Sequence, residues 1–597
     1  MLDTTVEARV GAVLAKLEEA LAAGDADAAA ALFAPVSYWR DLLAFTWNIR
    51  TMEGRDAVRE MLVSQLPHVR ARDWRVTEDA KEADGGMEAF FAFETDVARC
   101  EGHIRIRDGL VHTLLTAIRE LKGHEETIRR HRPLGARHAI EPGAKTWAQT
   151  RAEEAAAMGR EVQPYVLVIG GGQAGIALGA RLKQLRVPAL IVDRHERPGD
   201  AWRKRYKSLC LHDPVWYDHL PYLDFPENWP VFAPKDKMAD WLEFYTRIME
   251  LDYWTRAEAR RAEWHPGEGR WTVTVRREGE DVTLRPAHVV FATGNYGRPY
   301  TPVFPGADTF RGEQHHSAHH LGPDAWAGRR AVVIGSNNSA HDICAALYEV
   351  GADVTMVQRT STCVIRSDSL MEHALGPLYS EAATEKGIGT HKADLLFASV
   401  PYALAAEDGR RVTDRIREVD AEFYRRLEAS GFWLDFGADG SGLGMKYLRR
   451  GSGYYIDIGA SDLVADGRVK LAQGQVTRIS ETGVVLEDGR ELPADLIVYA
   501  TGYGPMNDII ADLMDEETAA RVGKVWGLGS GTPKDPGPWE GEERNMWKPT
   551  AHENLWFHGG NLHLSRHYSL YLALQLKARQ EGIATPVYGP APVHHAR

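Results

Sequence analysis

The spacing of apolar residues divides the chain into a helix-first N-terminal part and a longer part built on buried strands. Between residues 6 and 21, apolar residues recur every three or four positions, which is the spacing of one helix face. Further elements are predicted after it: helices over 29–33 and 54–62, and strands over 74–76, 87–94, 98–107 and 110–119. Helices followed by an antiparallel meander predict an α+β unit, whose limits we set at residues 1–125.

This N-terminal pattern resembles the NTF2-like (SnoaL-like) domains, in which helices form a cone on a curved sheet. Two interpretations of such a domain stay open. It can be a scaffold that packs on the rest of the chain. Alternatively, it can be a cyclase or isomerase, and Tyr38, Trp39 and Asp41 would then line its pocket.

A continuous apolar run opens the longer part. Residues 126–163 show no sustained period apart from an Ala/Glu-rich helix over 151–160, so we interpret them as a linker. Residues 166–169 are all aliphatic, as in a parallel strand buried on both faces. Strand, glycine turn and helix then follow one another twice, which predicts an α/β architecture.

The first glycine turn has the pattern of a dinucleotide site. It follows the 166–169 strand directly, and the next strand, 189–192, ends on an acidic residue. In such turns the first glycine makes the bend, the second lets a pyrophosphate approach, and the third lets helix and strand pack closely. The helix N-terminus faces the phosphates, and the acid binds the ribose hydroxyls. The predicted residues are Gly170, Gly172, Gln173, Ala174, Gly175, Asp193 and Arg194.

The second turn repeats this pattern with two differences. Asn337 replaces the middle glycine, which we expect to be tolerated because Asn adopts left-handed backbone conformations readily. The following strand ends in Arg359 where the first ends in Asp193. A carboxylate favours a bare ribose and a guanidinium a 2′-phosphate, so we assign FAD to the first site and NADPH, with room for NADH, to the second. The predicted residues are Gly335, Ser336, Asn337, Ser339, Ala340 and Arg359.

Two more apolar strands each end in Ala-Thr-Gly, where small residues allow close backbone approach. These endings add Thr293, Gly294, Thr501 and Gly502 to the predicted cofactor-binding residues. Asn295 follows the first of them, and we include it among the candidate catalytic residues.

The segment 310–320 carries a family resemblance. Phe310, Gly312 and His316 match the FxGxxxHxxx(Y/F) sequence of flavin-containing monooxygenases and the similar sequence of Baeyer–Villiger monooxygenases. His320 departs from both, because the relatives have an aromatic residue there. With the N-terminal part, this pattern resembles the bacterial type II flavin-containing monooxygenases over about residues 160–585.

The resemblance implies two Rossmann-like domains. The FAD-binding domain would comprise 164–310 and 496–597, and the NADPH-binding domain 311–495, with a helical insertion at about 367–440 that contains a helix over 412–427. It also implies bound FAD, NADPH as electron donor and O2 as co-substrate. One oxygen atom would pass through a C4a-peroxyflavin to a ketone, sulfide or amine. The alternative is an NADPH-dependent flavin reductase or oxidase fused to a catalytic N-terminal domain. A homodimer is compatible with either.

The resemblance also implies residues around the flavin ring. Trp202 lies in a segment similar to the family's GGxW, and Leu211 precedes His212. His212 stands where relatives have an Asn or Asp beside the flavin, so it either stabilises the flavin peroxide or is structural. Asn561 lies in a glycine-rich turn before the last helix, whose N-terminus would favour negative charge on reduced flavin.

Basic residues and histidines complete the candidate site. Lys446, Arg449 and Arg450 resemble the Lys-Arg segment of Baeyer–Villiger enzymes, in which an arginine stabilises the peroxide anion. The shifted spacing does not choose among the three, and a surface basic run is the alternative. His316 is interpreted either as a hinge between the nucleotide domains or as a group that takes part in the chemistry. A metal bound by the 315–320 histidines is disfavoured because no third ligand has suitable spacing.

Charge and composition further limit the functional classes to which the protein can belong. The formal charge of −13 argues against a nucleic-acid surface. The four cysteines form no CxxC pair, which argues against a disulfide reductase. We see no basic leader and no apolar run of 18 residues, so we expect a cytoplasmic enzyme without a membrane partner.

Overall fold

The N-terminal part folds as three helices on a six-stranded sheet. The structure is a computed structural model that describes residues 5–83, 85–135, 140–294, 298–590 and 592–594. The elements of this part are α1 (Val6–Ala22), α2 (Ala26–Ala31), β1 (Phe33–Leu42), β2 (Ile49–Glu53), α3 (Arg55–Gln65), β3 (Arg72–Ala83), β4 (Gly86–Glu94), β5 (Ala98–Arg107) and β6 (Leu110–Leu121). The strand order is β2-β1-β6-β5-β4-β3, in which only β1 and β6 are parallel neighbours.

The α+β character of this part is confirmed, but its first strands were not predicted. The helix expected over 29–33 ends at Ala31, and β1 begins at Phe33. Trp39 on β1 is fully buried and stacks on Phe33 with 5.5 Å between the rings. β1 exists because it pairs with β6, which lies about 75 residues further along the chain, a contact that local periodicity does not report. The NTF2-like assignment stays a prediction.

The first nucleotide unit begins after the linker. Its elements are α4 (Trp147–Ala157), β7 (Val166–Ile169), α5 (Gln173–Gln184), β8 (Ala189–Val192), α6 (Asp200–Arg203), α7 (Lys235–Ile248), β9 (Tyr253–Trp254), β10 (Ala257–His265), β11 (Arg270–Arg277), β12 (Glu280–Leu284) and β13 (His288–Phe291). The linker helix α4 starts at Trp147 because Thr146 and Gln149 form a capping box there.

The second nucleotide unit contains the helical insertion. Its elements are β14 (Glu313–His316), β15 (Arg330–Ile334), α8 (Asn338–Glu349), β16 (Asp353–Gln358), β17 (Cys363–Arg366), α9 (Ser367–Leu370), a π-helix (Met371–Leu375), α10 (Glu381–Glu385), α11 (Thr390–Ala398), α12 (Tyr402–Val419), α13 (Ala421–Ala429), α14 (Gly442–Arg450), β18 (Tyr454–Asp457), α15 (Ala460–Ala465), β19 (Lys470–Gln473), β20 (Val476–Ile479), β21 (Gly483–Leu486), β22 (Glu491–Pro493) and β23 (Leu496–Tyr499). The single helix expected over 412–427 is two helices, since the chain breaks at Asp420.

The C-terminal segment returns to the first unit. It contains α16 (Asp508–Leu513), α17 (Glu516–Val522), β24 (Leu555–Phe557) and α18 (Leu562–Gln580). One five-stranded parallel sheet has the order β24-β13-β7-β8-β9 and the other β14-β23-β15-β16-β19. β23 lies between β14 and β15, so the second unit extends to Tyr499 and the expected limit between 495 and 496 is too early.

The buried helix α18 joins the units. Residues Leu562–Ala578 are all buried, and α18 packs on α5 and on β6 of the N-terminal sheet. Arg566 on α18 donates two hydrogen bonds to the Asp394 carboxylate on α11, at 2.9 and 2.7 Å. Across the residues that the structure covers, no helix is both long and apolar enough to cross a membrane.

Candidate active site

Both glycine turns open into one cleft of about 2570 Å³ between the two parallel sheets. Most of the predicted site residues line it: Gly170, Gly172, Gln173, Ala174, Asp193, Arg194, Trp202, Leu211, His212, Thr293, Gly294, Gly335, Ser336, Asn337, Ser339, Ala340, Arg359, Arg449, Arg450, Thr501, Gly502 and Asn561. Gly175, Lys446 and His316 are not part of its lining. Asn295 lies outside the described residues.

The three glycines of the first turn are needed for different reasons. Gly170 has φ +107°, and a Cβ there would lie 2.5 Å from the Ala292 carbonyl oxygen. A Cβ on Gly175 would lie 2.0 Å from the carbonyl oxygen of Gly170. Around Gly172, in contrast, a Cβ would meet no atom within 4 Å. Gly170 and Gly175 are therefore required by the fold, whereas Gly172 leaves space free at the cleft.

Asp193 anchors the same turn. Its carboxylate accepts hydrogen bonds from the backbone N–H groups of Gly171 at 2.7 Å and His195 at 2.8 Å. These bonds hold the carboxylate at the end of β8, on the lining of the cleft. The acid is thus fixed where a ribose would lie if its pyrophosphate met the N-terminus of α5.

Gln173 connects this turn with the other walls of the cleft. The indole N–H of Trp202 donates to Oε1 of Gln173 at 3.2 Å. Asn561 caps α18, because its Oδ1 accepts from the Leu564 N–H at 3.0 Å, and its Nδ2 donates to the Tyr217 hydroxyl at 3.2 Å. The N-terminal ends of α5 and α18 therefore both face the part of the cleft beside the first glycine turn, here called the first cradle.

The second turn has the same backbone geometry, which corrects one expectation. Asn337 has φ −101° and ψ −169°, close to the −76° and −168° of Gly172. Neither residue is left-handed, so a left-handed preference is not the reason that Asn is tolerated here. Gly335 is the residue with unusual backbone, at φ +137°, and a Cβ there would lie 2.3 Å from the Ala500 carbonyl oxygen.

Three positively charged side chains, Arg359, Arg450 and Lys534, lie beside the second turn. Within the described part of the chain, the exposed Arg359 side chain has no hydrogen bond or ion pair, and Arg450 has a hydrogen bond only to the Ser452 carbonyl at 2.9 Å. Burial, together with the charges of Arg359 and Arg450, lowers the pKa of Lys534. Sequence reasoning missed Lys534, because it lies in a Gly/Pro-rich loop almost 200 residues beyond the turn.

The other two basic candidates, Arg449 and Lys446, already form ion pairs with carboxylates. Arg449 binds the Asp439 carboxylate through both terminal nitrogens, at 3.0 and 2.7 Å. Lys446 is buried, pairs with Asp435 and donates to the Gly453 carbonyl at 3.2 Å. Of the three residues in the basic segment, Arg450 is therefore the one without a carboxylate partner in the described ranges.

His212 faces a carboxylate from the opposite unit. Its Nε2 lies 3.4 Å from Oδ2 of Asp342 on α8, and that oxygen also accepts from the Tyr206 hydroxyl at 2.8 Å. Burial lowers the pKa of His212, but Asp342, together with the charges of Asp213 and Asp457, outweighs burial, and the net pKa is raised. Burial raises the pKa of the adjacent Asp213 to about 6. No sequence pattern pointed to Asp342, which lies on an ordinary helix.

The His316 side chain joins its own loop to the segment that follows β23. The Ala318 N–H donates to its Nδ1 at 3.1 Å, and its Nε2 donates to the Gly502 carbonyl at 2.9 Å. Burial lowers the pKa of His316, so this neutral tautomer fits both bonds. The geometry favours positioning over direct chemistry. Among the described residues, no group of three His, Cys, Asp or Glu side chains is arranged to hold a metal ion.

The N-terminal candidates are used in packing. Asp41 is fully buried and accepts four hydrogen bonds, from the Phe45 and Thr46 N–H groups and the Thr46 and Thr116 hydroxyls, between 2.6 and 3.0 Å. Trp39 is also fully buried and donates to Thr116 at 2.8 Å. Both side chains hold β1 and its following turn, and this geometry favours the scaffold interpretation.

Known proteins show similarity to most of the chain. Residues 167–397 match the family described as pyridine nucleotide-disulphide oxidoreductase. The chain is 27% identical over 341 residues to the indole-3-pyruvate monooxygenase YUCCA1 of Oryza sativa subsp. japonica, covering 57% of this chain and 77% of that protein.

Solved structures share the fold. The chain superimposes on ε-caprolactone-bound cyclohexanone monooxygenase with a TM-score of 0.50 and 19% identity, over 70% of this chain and 88% of that one. The NADP+-bound cyclohexanone monooxygenase from Rhodococcus sp. Phi1 gives a TM-score of 0.50 and 16% identity, over 70% and 84%. Over about 70% of its length, this chain therefore has the fold of the cyclohexanone monooxygenases, over 57% it is similar in sequence to a plant monooxygenase, and it carries an additional N-terminal α+β unit.

Proposed function

We propose that this protein is an NADPH-dependent flavin monooxygenase that transfers one oxygen atom of O2 to a ketone, in a Baeyer–Villiger reaction, or to a sulfide or amine. The observation that carries the proposal is the single cleft shared by both glycine turns. Two dinucleotides bound there would have their redox rings in one space. Bound FAD would supply hydride acceptance and O2 activation, and the protein supplies position and charge.

The first cradle fits FAD. Gly172 leaves room for a pyrophosphate, the N-terminus of α5 faces that space, and Asp193 is held where ribose hydroxyls would lie. Trp202, Gln173 and the capped end of α18 form the wall further along.

The second cradle, which is the part of the cleft beside the second glycine turn, fits NADPH. Arg359, Arg450 and Lys534 are positively charged groups around one turn, and in the described residues none of them forms an ion pair with a carboxylate, although the charge of Asp435 acts on Arg450. A 2′-phosphate would satisfy this charge, whereas the bare ribose of NADH would leave it uncompensated.

His212 is the group that we assign to proton control beside the flavin. Because neighbouring carboxylates, Asp342 first among them, raise its pKa, His212 keeps its proton to a higher pH than burial alone would allow. That charge stabilises negative charge developing on bound reactants, and its proton can be donated to a departing oxygen. Asp213, with a pKa of about 6, is placed to exchange protons with the same space.

The remaining wall favours an apolar, uncharged substrate. It is formed by α9 and the π-helix, the α11–α12 corner, α14 and α16, and its apolar side chains include Leu370, Leu375, Leu378, Leu396, Phe397, Val400, Leu443, Met445, Met506, Ile509 and Leu513. Apolar surface of this kind contributes binding energy to hydrocarbon rings or chains and none to a free carboxylate.

The test is coupled product analysis. Protein loaded with FAD is supplied with NADPH, O2 and a panel of cyclic ketones, sulfides, amines and indole-3-pyruvate, the substrate in the names of the plant relatives. We expect NADPH consumption that increases with an apolar ketone or sulfide and an oxygenated product in stoichiometric yield, with 18O from 18O2. Hydrogen peroxide as the sole product with every compound would contradict the proposal.

A further inference from the structure

A buried loop joins the N-terminal unit to the coenzyme cleft. Residues 524–548, here called the charged loop, contain no helix or strand. Its front lines the cleft through Lys524, Val525, Trp526 and Lys534. Its remainder holds charged side chains that are at most 8% exposed, namely Asp535, Glu540, Glu542, Glu543, Arg544 and Lys548. The loop is therefore ordered by charge and hydrogen bonding rather than by regular secondary structure.

Internal bonds tie the two ends of the charged loop together. The Asp535 carboxylate accepts from the N–H groups of Leu528 at 3.2 Å, Gly529 at 3.0 Å and Ser530 at 2.9 Å. Arg544 bridges Asp535 at 3.1 Å and Glu540 at 2.6 Å. The turn that carries Lys534 thus depends on charges buried behind it.

The N-terminal unit supplies one more cation to the buried side of the loop. Arg40 on β1 donates to both carboxylate oxygens of Glu542, from Nε at 2.7 Å and from Nη2 at 2.8 Å, and both side chains are 2% exposed. The Thr51 hydroxyl on β2 also donates to Glu542, at 2.7 Å. The buried side of the loop holds four carboxyl groups against two cations, Arg544 and Lys548, whereas Lys524 and Lys534 lie on the cleft side. Without Arg40, Glu542 would lose this ion pair while still buried, and the cost of such burial makes Arg40 part of the stability of the loop.

Further contacts fix the same junction. Arg40 donates to the Ala398 carbonyl at 2.9 Å and to the Tyr568 hydroxyl at 2.7 Å, and the Trp539 indole donates to Glu53 at 2.6 Å. Arg40 therefore joins β1, the α11–α12 corner, α18 and the charged loop at one point. On the front of the loop, the Trp526 indole donates to the Tyr447 carbonyl at 3.1 Å.

We propose that the N-terminal unit acts as a clamp on the charged loop, with Arg40 as a positioning residue that keeps Lys534 beside Arg359 and Arg450 and so raises the affinity for the 2′-phosphate of NADPH. This inference rests on the assignment of the second cradle to NADPH. It gives the N-terminal unit a role in coenzyme selection that requires no chemistry of its own.

The experiment compares Arg40→Met with Glu101→Gln in the full-length protein. Glu101 on β5 pairs with His391 on α11 at 2.9 Å, so its variant weakens another contact of the N-terminal unit without touching the loop.

Hydrogen exchange of the amides at 527–530 is measured without coenzyme, and NADP+ and NAD+ binding are measured by calorimetry. We expect R40M to increase exchange and to weaken NADP+ binding roughly tenfold, with NAD+ binding changed by less than about twofold. We expect E101Q to match wild type in both.

Further variants keep the test decisive. Removing both charges in R40M/E542M should restore part of the exchange protection, because no carboxylate is then left unpaired. If R40M does not fold, Thr51→Val removes one hydrogen bond to Glu542 and should show smaller changes of the same kind. Unchanged exchange and NADP+ affinity in the variants that fold, or equal losses for NADP+ and NAD+, would overturn the clamp. Absence of NADP+ binding to wild type would instead overturn the proposed function, and the exchange data would still report on the loop.

Discussion

His212 and Asp342 approach each other to 3.4 Å across the cleft, one from the loop after the first cradle and the other from the helix of the second. The pair forms only when the two units are docked. It therefore links the charge on His212 to the arrangement of the two dinucleotide sites.

The first prediction concerns this pair. Asp342→Asn removes the largest of the carboxylate contributions that raise the pKa of His212, so burial is less compensated and the pKa will fall. The pH–rate profile of product formation should lose activity at a lower pH than in wild type. NMR titration of the His212 ring checks the assignment, with Asp353→Asn, at a surface ion pair with Lys470, as the control. Identical profiles for D342N and wild type would exclude His212 from proton control.

The same pair has a stability consequence with a defined sign. The folded-state pKa of His212 lies above its ordinary value of 6.5, so the folded protein holds this proton more tightly than the unfolded chain. The stabilisation is complete below the unfolded pKa and is lost as pH rises through the folded one. The difference in melting temperature between wild type and D342N should therefore shrink as pH rises through the folded pKa. A difference that grows with pH would contradict the sign.

A second prediction separates binding glycines from structural ones. Gly172→Val adds bulk only at the cleft, because nothing lies within 4 Å of its Cβ and its extended backbone accepts a branched residue. We expect FAD content to fall more than about tenfold with the melting temperature of the apoprotein unchanged. Gly175→Val should lower both, since its Cβ meets the Gly170 carbonyl. FAD content is read from the visible absorbance of purified protein. Normal flavin loading of G172V would move the FAD site away from this turn.

The third prediction concerns coenzyme choice. Arg359→Ala removes a cation without a carboxylate partner in the described residues, and kcat/KM for NADPH should fall roughly 10- to 100-fold while the value for NADH stays within about twofold. Lys534→Ala should show a smaller effect of the same kind. Steady-state kinetics with both coenzymes measure this, and Lys470→Ala, on the protein surface, is the control. An equal loss with NADH would mean that these cations do not contact the extra phosphate.

The fourth prediction tests whether the N-terminal unit is a scaffold. Asp41→Ala removes the acceptor of four buried hydrogen bonds, which should destabilise the protein by about 3 kcal/mol. The oxygenation rate per folded molecule should nevertheless be retained. Thermal unfolding and product analysis on the same sample measure the two effects. Loss of a separate, NADPH-independent reaction in D41A would instead identify a second active site.

Local sequence was sufficient for the cradles. Each is a strand, a glycine turn and a helix that are continuous in the chain, and the backbone demands at Gly170, Gly175 and Gly335 arise from contacts that every such unit repeats. The stripe on α1 and the α+β class of the N-terminal part were predictable for the same reason.

Elements that depend on distant partners were not predictable. β1 needs β6, and β23 lies in the second sheet because it fits between β14 and β15. The sequence by itself determined that two units of strand, glycine turn and helix exist and which residues shape their turns, since these depend on local backbone conformation and on hydrophobic periodicity. Only the tertiary structure decided which charges meet. Arg449 and Lys446 are neutralised by carboxylates, whereas Lys534, Asp342 and Arg40 reach partners that lie hundreds of residues away along the chain or belong to another unit. Electrostatic contacts act through space, so the two members of a charge pair need not be near each other along the chain, and local sequence patterns do not reveal them.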